Sequence, residues 1–497
     1  MEYAARSTVL AFYGQDTIKL TPRMTVNLGV RWEPNLPAYD YFGRGSYFSQ
    51  DAFNAGQKST VFPNAPIGLL FYGDPKITKS FSQNHWALFS PRAGIVWDPK
   101  GDGKQTIRVS GAILRDSAEL FYAERLTTNA PYGTAIDIPS PAGGFSNPYT
   151  GYPGGSPFPA AYSISKNIAF PTGGVYVNMP SDTHPTYMAQ WNFSFQRQIT
   201  ANWLASATYL GNKTNHIWAG EEINPAVYIP GASTTGNTTS RRLLSRLNPV
   251  AGASYASIVQ SDMGGTGRYN GLLVSLQHRF AGNFTILSNY TWSHCTSDVD
   301  FTGELAGSQY QVPGNRSANK GDCNFDYRHV ANLSVIAQSP GYGGSILKTV
   351  SRGWQVAPIV QARSGGALTT TTGSDTSLTG VGADRPDVVL PQNAYTPEKS
   401  AAAYLNRAAF ANNAPGTYGN AGRDAFRGPG SVNVDVSLSR TFAIREHFHL
   451  ETRAESFNVI NHVNLNNPTT ALNSSNFGKI TGAADPRILQ FVMKLKF

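Results

Sequence analysis

Apolar and polar residues alternate at period two through much of this chain. Val432, Val434, Val436 and Leu438 form an apolar row set against Asn433, Asp435, Ser437 and Ser439. Val26, Leu28, Val30 and Trp32 alternate in the same way with Thr25, Asn27, Gly29 and Arg31. Phe284, Ile286, Tyr290 and Trp292 oppose Thr285, Asn289 and Thr291, while Phe448 and Leu450 oppose His449, Glu451, Arg453 and Glu455. Successive side chains of a strand point to opposite faces, so each run predicts a strand with one greasy and one polar face. Runs of this kind, bounded by turn residues, predict about thirteen strands. They lie near 8–20, 23–33, 86–97, 104–116, 186–199, 203–212, 268–281, 283–296, 326–338, 352–364, 431–443, 446–460 and 487–497.

The connections between these runs alternate in length. Short ones are Thr21-Pro22-Arg23, 99–103, 200–202, Ala281-Gly282, 339–351 and Ile444-Arg445; Gly101-Asp102-Gly103 reads as a hairpin turn. Long ones are 34–85, 117–185, 213–267, 297–325, 365–430 and 461–486. Outer-membrane barrels have short periplasmic turns and long outer loops, and a sandwich or propeller has no reason to sort its connections this way. The long segments are rich in Gly, Pro, Ser, Thr and Asn. Short local strands or helical turns are expected inside them, at 254–260 and 401–410, but not domains. The pattern predicts an all-β, antiparallel up-and-down transmembrane barrel of the outer-membrane type.

Composition fits that reading. Charged residues are 14% and aromatics 12% of the chain, with 49 Gly and 31 Pro. Soluble domains average about 25% charged residues. Mean hydropathy is −0.28, and no run of about 18 apolar residues exists to form a membrane-crossing helix. Trp32, Trp97, Trp203, Tyr290 with Trp292, and Trp354 stand near strand ends, where interfacial girdles belong. The net charge is +9, but the basic residues are scattered. Arg241-Arg242 is the densest local pair, in a polar loop, so no nucleic-acid partner is expected.

The final strand is the most specific segment. Leu489, Phe491, Met493, Leu495 and Phe497 fall on one face and Gln490, Lys494 and Lys496 on the other. This ending resembles the barrel-assembly signal of bacterial outer-membrane proteins, whose last strand closes on Phe. Further segments carry a family resemblance. They include Phe12-Tyr13-Gly14-Gln15-Asp16, Asn27-Leu28-Gly29-Val30-Arg31-Trp32-Glu33 and Ser90-Pro91-Arg92-Ala93-Gly94. Others are Tyr269-Asn270-Gly271-Leu272, Asp326-Tyr327-Arg328-His329 and Arg453-Ala454-Glu455-Ser456-Phe457-Asn458. Together they resemble the C-terminal barrel of TonB-dependent receptors, in particular the Oar-like group that carries a carboxypeptidase-regulatory-like domain.

The resemblance implies a barrel of about 22 strands filled by a plug. It implies transport of a substrate across the outer membrane, driven by the TonB system. Met1-Glu2-Tyr3-Ala4-Ala5-Arg6 shows no signal-peptide pattern. About thirteen strands are visible, and no plug segment precedes them. The expectation is one domain over 1–497, the C-terminal portion of such a receptor. It would leave an open, curved sheet or a smaller forced barrel. Expected partners are outer-membrane lipid, the barrel-assembly machinery, the TonB system through the missing N-terminal region, and an unidentified substrate.

Chemistry is sparse. No catalytic grouping stands out, no cofactor is expected, and none of the nine His shows metal-ligand spacing. His447-x-His449 beside a tight turn reads as no more than a pair on a strand. Asp298, Asp300 and Glu304 read as solvated loop carboxylates. Cys295 and Cys323 flank one loop and are candidates for a disulfide. Glu451, Arg453 and Glu455 form a polar row expected to face the lumen, either bracing the wall or lining a solute path. Two other functions stay open: an adhesive or structural barrel that binds partners through its loops, and a barrel-embedded enzyme.

Overall fold

The structure is a computed structural model that describes residues 4–117, 120–133, 135–138, 141–156, 164–299, 310–341, 343–382 and 384–497. Thirteen strands pair in chain order as one antiparallel meander. The first four are β1 (Phe12–Thr21), β2 (Met24–Trp32), β3 (Phe89–Trp97) and β4 (Gln105–Arg115). Next come β5 (Tyr187–Gln198), β6 (Trp203–Glu222), β7 (Tyr255–Ala281) and β8 (Phe284–Ser297). The last five are β9 (His329–Gln338), β10 (Trp354–Arg363), β11 (Ser431–Arg445), β12 (Phe448–Phe457) and β13 (Ile488–Lys496). Within this sheet β1 bonds only β2, and β13 bonds only β12. Among the described residues the sheet is therefore open. Consecutive antiparallel pairing puts every short turn at one end and every long loop at the other.

The short turns are built for their geometry. Gly282 and Asn283 have φ of 63° and 70°, the mirror-image turn whose twist matches its flanking strands. Asp98 accepts hydrogen bonds from the Gly101 and Gly103 amides, both at 2.8 Å. Both glycines sit at positive φ, 73° and 70°, where a Cβ is strained.

Register sorts the side chains into two faces. Val109, Phe193, Tyr209, Leu272 and Trp292 lie opposite one another across five strands. All five are exposed, as are Leu438, Leu489, Phe491, Met493 and Leu495 farther along the same face. The other face is a ladder of polar bonds. Thr17 donates to Asn27 at 2.8 Å, Asn192 to Ser110 at 2.6 Å and Arg108 to Gln196 at 2.8 Å. One exception sits on edge strand β1, where Asp16 pairs in register with Leu28 on the apolar face. Trp97, Trp203 and Trp354 mark the short-turn end, and Trp32 and Trp292 the loop end.

The buried cores lie at the loop end, among the long loops and the tops of β6 and β7. Segments of the first three loops and the top of β7 pack Phe48, Phe62, Leu69, Phe71, Tyr176, Leu244, Tyr255 and Ile258 together. The fifth and sixth loops pack Leu368, Tyr404, Leu405, Phe410, Phe426, Leu472 and Phe477. Two-residue strands stitch these loops, such as Tyr47–Phe48 with Leu69–Leu70 and Ala367–Leu368 with Phe426–Arg427.

The structure differs from the sequence expectation at three places. β1 begins at Phe12 rather than near 8. β6 runs on to Glu222, and β7 starts at Tyr255, so residues expected to be a loop form a continuous ribbon. There the ribbon runs among the packed loops and is buried on both faces, so its alternation disappears. The long loops are also more than local turns, because they share hydrophobic cores.

Candidate functional site

Two polar regions stand out: the polar face of the sheet and the seam between the fourth and fifth loops. On the polar face, Arg453 bridges its neighbours along β12, with Nη2 3.2 Å from Glu451 Oε1 and Nη1 3.1 Å from Glu455 Oε1. Lys496 Nζ on β13 reaches Glu451 Oε2 at 2.9 Å. These four residues form one ion-pair ladder across the last two strands.

Nearer the loop end, a recess of about 670 Å³ opens on this face. Asn332, Gln361, Arg363, Asn433, Asp435 and Asn458 line it. Asp435 Oδ1 accepts from the Asn433 side chain and the Asn458 amide, each at 2.8 Å. Amides are its commonest polar groups, beside the charged Arg363, Asp435 and Asp485 and apolar residues such as Phe457 and Ile488, a mixed surface that offers several hydrogen bonds.

The loop seam is laced by arginines. Cys295 and Cys323 are joined as a disulfide, with Cα atoms 5.4 Å apart. Beside them, Arg328 spans Asp322 and Asp326 at 3.0 Å each. Arg427 from the fifth loop reaches the same two carboxylates, Asp326 at 2.7 Å. His294 Nε2 lies 2.8 Å from Asp322. Burial pushes the Asp322 carboxyl up, but His294, Arg328 and Arg427 outweigh it and hold the group below the usual carboxylate range. Arg385 donates to Asn319 and Ala318, and Arg423 to Asn319 O and Ser297.

Other sequence candidates fall differently. Arg241 and Arg242 are 3% and 1% exposed, not a surface patch. Arg241 donates to the Val227 and Leu378 carbonyls, and Arg242 faces Glu222 at 3.5 Å. Asp298 is spent on the Thr266 amide and hydroxyl, and Asp300 and Glu304 lie outside the described residues. Among the described residues His447 and His449 gather no third ligand, whereas His85, Asp182 and His184 come together at the loop rim. That trio joins two distant loops, so only Asp182-x-His184 was visible as a local spacing. Leu489, Phe491, Met493 and Leu495 stand on the exposed apolar face of β13, with Phe497 just beyond it.

The arrangement is a wall with one lipid-compatible face, one polar face and a packed cap at one end. A family model described as outer membrane beta barrel domain matches residues 1–490. The chain belongs to this family. The barrel domain therefore sits in the outer membrane, where one apolar face suits lipid and one polar face suits water.

One solved structure shares the fold, and two more align along most of the chain. The barrel domain aligns with the outer membrane transporter YddB from Escherichia coli at 13% identity and TM-score 0.50, over 98% of this chain and 45% of that one. The siderophore receptor PirA from Acinetobacter baumannii aligns at 12% identity and TM-score 0.46, over 98% and 45%. The FrpB iron transporter from Neisseria meningitidis aligns at 8% and 0.45, over 97% and 44%. The barrel domain thus spans less than half the length of these three proteins. No curated protein matches its sequence.

Proposed function

We propose that this barrel domain is part of a TonB-dependent receptor of the Oar-like kind, carrying an unidentified substrate across the outer membrane. One arrangement carries the reading: a packed loop cap at the loop end of a polar wall whose recess presents several amide side chains. The cap is suited to capture, and the recess offers hydrogen bonds along the way inward. The Glu451, Arg453, Glu455 and Lys496 ladder braces the wall, because each charge is already matched by a neighbour. Coupling to TonB is assigned to a region N-terminal to the barrel. The loop cores also suit an adhesive barrel, which needs a firm outer surface but no energy coupling.

Binding of the full-length gene product to the purified periplasmic domain of TonB separates the two. Saturable binding is expected for a receptor; its absence would favour adhesion. The last strand, Leu489 to Phe497, is assigned as the signal read by the barrel-assembly machinery. Phe497→Ser should lower outer-membrane yield several-fold in a fractionation blot, and unchanged yield would refute that assignment.

A further inference from the structure

We infer that His85, Asp182 and His184 form a binding site for a divalent transition-metal ion of the zinc type, at the rim where the first two long loops meet. This holds independently of whether the protein transports anything.

One ligand atom from each residue lies within 4.8 Å of the others. His85 Nε2 is 2.8 Å from Asp182 Oδ1, and His184 Nε2 is 3.4 Å from Asp182 Oδ2. Both rings thus turn the same nitrogen toward one carboxylate. Metal bonds of about 2.1 Å in a tetrahedron separate ligand atoms by about 3.4 Å. The two contacts are to different oxygens of the carboxylate, so a small rotation of the exposed Asp182 side chain would bring all three ligand atoms round one ion. The His85 nitrogen is shielded from solvent and makes no hydrogen bond of good geometry. Two imidazoles and one carboxylate are a donor set for zinc and its neighbours, not for calcium or magnesium.

The surroundings fix the trio before any ion arrives. The Ser82 and Thr183 hydroxyls meet at 2.7 Å, and the Thr183 amide donates to Ser82 Oγ at 2.9 Å. The Gln83 amide donates to Ser181 O at 3.0 Å, and the Asn35 side chain to Thr183 O at 3.2 Å. Segments 82–85 and 181–184 are therefore zipped side by side. Behind them, His216 stacks on His184 at 5.3 Å, with its Nδ1 3.0 Å from Met263 O. Support of this kind holds ligands in productive geometry. Asp182 and His184 keep 51% and 44% of their side-chain surface. That leaves an open side for a water or an incoming ligand atom, as in zinc sites with three protein ligands.

The test titrates zinc chloride into the full-length protein, purified from outer membranes in detergent. One saturable site is expected. His85→Ala and His184→Ala should each weaken it by at least about tenfold, and the double variant should abolish it. His447→Ala with His449→Ala, at the opposite end of the wall, should leave it unchanged. The near-isosteric Asp182→Asn keeps the fold testable: cobalt(II) should give the wild type a visible ligand-field spectrum that this variant loses. Zinc should also slow trypsin cleavage within 33–88 and 116–186 in the wild type alone. Wild-type protein that is folded by heat-modifiable migration yet shows no saturable zinc binding would overturn the inference. So would a double variant that binds as well as the wild type.

Discussion

The wall and the cap of this chain keep their hydrophobic residues in opposite places. In the wall, Phe491, Met493 and Leu495 are 79%, 77% and 52% exposed. In the cap, Leu69 and Phe71 are 0% exposed, and Phe62 packs edge-on against Phe71 at 4.8 Å. The wall satisfies its backbone by strand pairing and leaves its apolar side chains for hydrocarbon. The cap buries its own, as a water-soluble domain does. One chain is thus written for two solvents, and the boundary runs through individual strands. A perturbation aimed at one region should leave the other nearly untouched.

The largest separation is expected from Phe71→Ala. It removes a buried ring and should cost the cap about 3–5 kcal/mol. Limited trypsin digestion should then cut within 33–88, while heat-modifiable migration of the wall persists. Loss of both together would show that the two regions fold as one. Replacing Cys295 and Cys323 by Ser should lower cap stability by about 3–4 kcal/mol in the chain-entropy picture for a 28-residue separation. Denaturant midpoints for the loops with and without reductant check it, and coincident midpoints would count against it.

In the wall, Val436→Arg faces lipid and should destabilise by about 2–4 kcal/mol near the bilayer midplane. Ser437→Arg, one residue on, should cost little. Equal costs in a folding titration in lipid would reverse the facing. The mildest effect should be acid loosening of the loop seam. The depressed Asp322 carboxyl contributes stability that is fully present above its unfolded value of about 3.9 and is lost as pH falls through its lower folded value. Proteolysis of the fourth and fifth loops should therefore rise below about pH 4. In Asp322→Asn this step should be absent, and a variant that retains it would reassign the titrating group.

How much was legible follows the same division. Lipid on one side and water on the other impose alternation, so all thirteen wall strands could be found from period two. β11 is the clearest case, with Val432, Val434, Val436 and Leu438 on one face. Where β6 and β7 rise into the cap, residues 255–266 (YASIVQSDMGGT) are packed from both sides and carry no such rhythm. The cap cores were illegible for a different reason. Phe48 and Tyr176 come from two separate loops and Tyr255 from the top of β7, and nothing local marks them as neighbours. The metal-binding trio was missed on the same ground, since His85 and His184 are brought together only by the pairing of two loops.

The β6–β7 ribbon has a mechanical consequence. A membrane crossing needs about 9–11 residues, yet β7 has 27 and β6 has 20. Their pairing continues from Asn215 opposite Thr266 to Glu222 opposite Val259, roughly 25 Å of ladder beyond the rim. Register shifts around Ile217, beside His216 at φ 56°, interrupt it near its base. The ribbon is thus a cantilever rooted in the wall, stiff along its length and bent at a defined joint. Tyr255 and Ile258 at its tip are embedded in the largest loop core. A shift of that core is carried as one piece down the ribbon to this joint, where the interrupted ladder lets it bend before it reaches the wall.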